Sequence, residues 1–195
     1  MAVLTLTKPK PIKKRWTQAE FHELPEGPPY YELEDGELIE MARPDARHQQ
    51  ALTILLSAVS QYTKQHKSGI IWPEVCVDIT PTKTYRPDLS YLSTEHLERF
   101  ENEIAIAGPP DLVVEISSLA PRDLTTKLHT YQQAGTPWYW IVVTDFLVIQ
   151  EYQNTPEGYL LSQGIAFGET FSPRLFPGLS FNLAEMMGEE VKREA

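Results

Sequence analysis

At 195 residues, 42% of them hydrophobic and 23% charged, the chain has room for one domain with a substantial buried core. A net charge of −10 excludes a protein that coats nucleic acid through a dominant basic field, though not an enzyme that meets phosphates locally through a divalent metal. A single cysteine, Cys76, excludes an internal disulfide and cysteine-based zinc or CxxC redox sites.

The start, MAVLTLTKPKPIKKRW, has neither an apolar core of signal-peptide length nor a small-residue cleavage pattern. The most apolar helical stretch, Ala51 to Val59, is too short and too amphipathic to span a bilayer. The expectation is a soluble, cytoplasmic protein with no membrane partner. Residues 1–15, carrying Lys8, Lys10, Lys13, Lys14 and Arg15, read as a flexible, solvated arm ahead of a single domain over 16–195.

In TQAEFHEL, Thr17 with Glu20 three residues on predicts a capping box and a short helix. YYELEDGELIEM places Asp35-Gly36 between two strand-like runs, a two-residue hairpin signal. From His48 to Lys67, Leu52, Leu55, Leu56, Val59 and Tyr62 recur at helical spacing, with Gly69 as the stop. Strands follow at 74–80, 86–92 and 111–117. Pro121 opens a helix through Ala134, which Gly135 closes. TPWYWIVV, FLVIQEYQ and GYLLSQGI supply further strands, and LFPGLSFNLAEMM a closing loop and short helix. The order predicts an α+β fold, a mixed central sheet flanked by helices.

No Gly-rich phosphate loop, HExxH helix or GxSxG elbow is present, and the histidines lack metal-ligand spacing. His48, at the start of the long helix, reads as an exposed residue or, less simply, as one that faces a site, and Cys76 as a small core residue. Acids on neighbouring strands remain. Glu115 interrupts the apolar run of PPDLVVEISS, where a charge is costly unless a partner or a metal neutralises it. Asp88 opens RPDLSYL, and if the two strands are neighbours the carboxylates form an oxygen-rich site suited to Mg²⁺. In RDLTTK, Asp123 and Lys127 form either an ordinary (i, i+4) surface pair or, with Lys127 turned inward, a group that holds a water near the acids.

These residues resemble the PD-(D/E)xK nuclease superfamily, whose core runs αβββαβ with acids on the second and third strands. Pro87-Asp88 matches the PD element and Glu115 the second acid. The chain is also similar to a widespread bacterial family of restriction-endonuclease-like proteins through YELEDGELIEM, RPDLSYL, PPDLVVEISS, RDLTTKLHTYQQAG and WYWIVV, over residues 30 to 145. It departs from the ExK pattern at Ser117, where a lysine belongs. The resemblance implies that the lysine has migrated to the next helix as Lys127.

The resemblance further implies metal-dependent hydrolysis of DNA. Asp88, Glu115 and the Ile116 carbonyl would hold Mg²⁺, with Mn²⁺ as a substitute, and Lys127 would orient the attacking water. An acid of the early hairpin, Glu32 or Glu37, would support the site. Two-fold cutting would suit a homodimer. The competing readings are an idle relative that binds nucleic acid or protein on the same scaffold, and a glycosidase with paired carboxylates. The latter would need exposed aromatics, whereas Trp138, Tyr139 and Trp140 fall in one strand as core residues.

Overall fold

The computed structural model describes residues 14–25, 27–100, 104–117 and 123–190. Most of the basic arm (residues 1–13) and the foreseen helix start at Pro121 lie outside the described residues. Arg15 Nη1 donates to the Asp35 carbonyl at 2.8 Å, and the Trp16 N–H donates to Gly36 at 2.9 Å, so this end of the arm is tied to the first hairpin.

Helix α1 (Gln18–His22) opens with the expected capping box, in which Thr17 and Glu20 exchange backbone-to-side-chain bonds. Strands β1 (Tyr31–Glu34) and β2 (Glu37–Glu40) pair across a turn in which Asp35 and Gly36 both take positive φ, 49° and 80°. That turn twists with its strands, which is why Asp-Gly favours it. Helix α2 (Ala46–His66) is capped by Asp45, which accepts from the His48 N–H at 2.8 Å. Its buried stripe is Ala51, Leu52, Leu55 and Val59; full burial of each leucine or valine contributes about 1.5–3 kcal/mol.

Gly69 is not the helix stop. Lys67 closes α2 in the left-handed conformation, φ 52°, and Gly69 begins β3 (Gly69–Pro73), a strand that the apolar periodicity does not reveal. There follow β4 (Cys76–Thr80), β5 (Lys83–Tyr85), β6 (Leu89–Ser93), a single 3₁₀ turn, β7 (Ala105–Ala107) and β8 (Leu112–Ser117). A π-helical turn, Asp123–Lys127, leads into α3 (Leu128–Ala134), capped by Gly135 at φ 90°. Strands β9 (Trp138–Val143), β10 (Val148–Thr155) and β11 (Gly158–Ile165) precede α4 (Leu183–Met186).

The fold is α+β, and its strands divide between two mixed sheets. The larger runs β11-β10-β9-β8-β6-β3 and the smaller β2-β1-β5-β4-β7. Strand β3 lies beside β6, while β4 pairs with β5 in the smaller sheet. Strands β8 and β9 are parallel, so the chain must cross over between them, and α3 is part of that crossover. The centre of the larger sheet, β6, β8 and β9, is buried on both faces. Leu112, Val114 and Ile116 of β8 pack with the α2 stripe and Trp140, whereas Val113 packs with Val77, Tyr85 and Tyr131 from the smaller sheet and α3. Tyr139 and Trp140 are fully buried, as core residues should be. Cys76 is only half-buried. Among the described residues no helix is long and apolar enough to cross a membrane.

Candidate active site

Side chains alternate along β8, so Glu115 shares the face of Val113, the face turned toward the smaller sheet and α3. There it meets its partner. Lys127 Nζ donates to Glu115 Oε1 at 3.0 Å and to Oε2 at 3.1 Å, and lies 3.0 Å from Glu32 Oε1. All three side chains are at most 5% exposed. The surface reading of Lys127 is therefore replaced by a buried one; the side chain of Asp123 lies outside the described residues. Lys127 is the last residue of the π-helical turn, a feature that recurs at functional sites.

Between the two hairpin acids the geometry chooses Glu32. It is buried on β1 and also accepts from the Arg86 N–H at 2.9 Å, while Glu37 is exposed on β2. Tyr131, one helical turn beyond Lys127, is fully buried with its hydroxyl lacking a hydrogen-bond partner among the described residues. Burial, reinforced by the charges of Glu115 and Glu32, pushes that phenol well above its usual range.

The β6–β8 register pairs Leu89 with Val114, which brings Asp88 alongside Glu115. Asp88 Oδ2 accepts from the Ile116 N–H at 2.6 Å and Oδ1 contacts His48 Nε2 at 2.8 Å. His48 is thus not the exposed residue expected from its place in α2; its side chain is 17% exposed. Burial alone would hold its pKa down, but the hydrogen bond to Asp88 and the charges of Asp88, Asp45 and Glu74 outweigh that and raise it. A signal was available. His48 stands four residues before Leu52 and seven before Leu55, on the face that turns to the core.

Glu32, His48, Asp88, Glu115, Ile116 and Lys127 share one cavity of about 340 Å³. Among the described residues no three His, Cys, Asp or Glu side chains form a ready metal cage. The donors present are carboxylate and backbone oxygens. That set fits Mg²⁺ or Mn²⁺, since Mg²⁺ commonly relies on one or two carboxylates, retained waters and substrate phosphate.

A sequence model of the Uma2 family, described as "Putative restriction endonuclease", matches residues 18–184. The chain belongs to the Uma2 family. A crystal structure of "a putative nuclease belonging to DUF820" from Anabaena variabilis matches with a TM-score of 0.72 at 20% sequence identity, over 89% of this chain and 98% of that one. At that identity the likeness is one of fold, the restriction-endonuclease-like fold expected from the motifs. No curated protein is significantly similar to the chain. Membership of Uma2 and the nuclease-like fold support a nuclease as the coarse description of this chain.

Proposed function

We propose that the chain is a metal-dependent endonuclease that hydrolyses DNA phosphodiester bonds in the cavity of Asp88, Glu115 and Lys127. One observation carries the reading: the ammonium of Lys127 lies 3.0 Å from Glu115 in the same cavity as Asp88, which supports Lys127 as the lysine that position 117 lacks. Asp88, Glu115 and the Ile116 carbonyl would hold Mg²⁺ or Mn²⁺, which when bound lowers the pKa of a water and stabilises charge developing at phosphorus.

The chain's own groups do the rest. His48 and the Ile116 N–H fix the two oxygens of Asp88. Glu32 holds the ammonium of Lys127 together with Glu115, so the cation is preorganised to orient the attacking water and to offset charge on the phosphoryl oxygens.

The test is nicking of supercoiled plasmid with Mn²⁺, at low salt because an acidic protein binds DNA weakly. Wild type should nick and Lys127→Met should not. Equal nicking by both would remove Lys127 from the mechanism. The second reading, an idle scaffold that binds without cutting, draws on the engagement of both Asp88 oxygens by His48 and Ile116. Wild type that binds Mg²⁺ and never nicks would select it.

A further inference from the structure

Beside the candidate active site lies a larger recess of about 830 Å³, and the two share a wall that includes Glu40, Arg43, Glu74 and Arg86. Tyr30 stands in this recess with 46% of its surface exposed. A single exposed aromatic is ordinary. This one is braced. The Arg86 guanidinium lies over its ring, 4.9 Å from the centroid, and Arg86 Nε donates to the Glu74 carbonyl at 2.6 Å.

The brace is built into the active site. The Arg86 N–H donates to Glu32, and Glu74, held in the left-handed region at φ 49°, donates its own N–H to the Asp88 carbonyl at 3.0 Å. An aromatic ring stiffened by a guanidinium, at a fixed distance from the cavity that would hold a phosphodiester, is a platform on which a base can stack.

We propose that Tyr30 and Arg86 stack an unpaired base of the strand being cut, so that the substrate is single-stranded or locally opened DNA. The proposal rests on the nuclease reading and names its substrate form. Depth argues for it: Glu32, Glu115 and Lys127 are at most 5% exposed, and a strand freed from its duplex reaches such groups more readily than a rigid double helix does. The wall that the two cavities share is of mixed charge: Arg43 and Arg86 suit a phosphate passing between them, and Glu40 and Glu74 can accept from base N–H groups.

The test is binding by fluorescence anisotropy with the full chain in EDTA, where nothing is cut. The probes are a single-stranded oligonucleotide, its blunt duplex, and a strand of the same length made of abasic deoxyribose phosphates. Wild type should prefer the single strand to both other probes. Tyr30→Ala should lose roughly five- to a hundredfold of single-strand affinity, the range expected for one lost stacked base. Tyr30→Phe, which keeps the ring, should retain it. If Tyr30→Ala does not fold, the abasic strand and Tyr30→Phe still decide.

Wild type that prefers the duplex, or binds the abasic strand as tightly as the normal one, overturns the proposal. So does undiminished single-strand binding by Tyr30→Ala. Because binding is read without metal, intact stacking with no nicking would sink only the nuclease reading. Nicking with no Tyr30 effect on binding would sink only the platform.

Discussion

Glu32 of the first hairpin and Lys127 of the turn before α3 lie 3.0 Å apart in the interior, with Glu115 at the same distance from the ammonium. The lysine joins the smaller sheet, through β1, to the larger sheet, through β8. It therefore serves the packing of the two sheets as well as any chemistry in the cavity. Two buried carboxylates that face one ammonium would repel each other without it.

Loss of that ammonium should be costly to the fold. Lys127→Met keeps the unbranched stem but leaves two buried acids without their shared partner, and breaking a buried pair in this way costs about 3–5 kcal/mol. Urea denaturation in EDTA would measure it. Adding Glu32→Gln to Lys127→Met should recover part of the loss, because one of the stranded charges is then gone. A cost below about 0.5 kcal/mol, the surface value, would contradict the burial of Lys127.

A cation held by Asp88 and Glu115 should stabilise the folded chain by mass action. At about 100 times its dissociation constant, Mg²⁺ or Mn²⁺ should add roughly 2.7 kcal/mol. Glu115→Gln, which keeps the shape of the side chain and removes its charge, should lose most of that gain. The measurement is Tm against metal concentration for both proteins. Equal shifts would count against Glu115 as a ligand.

Local chemistry was readable from the sequence, and long-range partnership was not. The Asp35-Gly36 turn, the Thr17–Glu20 box and the Leu52–Leu55–Val59 stripe each follow from neighbours within a few residues. The interrupted apolar run announced that Glu115 needed a partner. It could not say that Lys127 and Glu32 would both converge there, because a contact between the first hairpin and a helical turn beyond β8 leaves no local trace. Glu32 and Glu37 sit in similar strand-like runs, and only the pairing of β1 with β5 buries one of them. Strand β3 was missed because GIIWP is short, lacks a period-2 alternation and begins with a glycine that reads as punctuation.

That glycine makes a test of its own. Gly69 opposes Ser93 on β6, with φ 148°, and a β-carbon there would collide with the Leu92 carbonyl oxygen. The obstacle is backbone of a buried strand, which cannot swing aside as a side chain can. Gly69→Ala should destabilise by about 3 kcal/mol, at the upper end of the cost of overpacking a core. Chemical denaturation would show it. A cost under about 1 kcal/mol, below the range of overpacking, would mean that β3 does not approach β6 so closely.

The last prediction concerns pH and His48. Burial disfavours its imidazolium, yet the hydrogen bond to Asp88 and the charges of Asp88, Asp45 and Glu74 raise its pKa above the ordinary 6.5. A histidine whose pKa is higher in the folded chain than in the unfolded one binds its proton more tightly when folded. Its contribution to stability is complete below pH 6.5 and is lost as pH rises through the higher, folded-state value. His48→Gln preserves an N–H donor toward Asp88 but carries no charge at any pH. Wild type should therefore show a Tm advantage over His48→Gln at about pH 6, and that advantage should shrink toward about pH 8, both measured in EDTA so that no cation competes for Asp88. If the advantage instead grew with pH, the imidazole would be bound to Asp88 in its neutral form, and Asp88 would face the cavity without a cationic neighbour from α2.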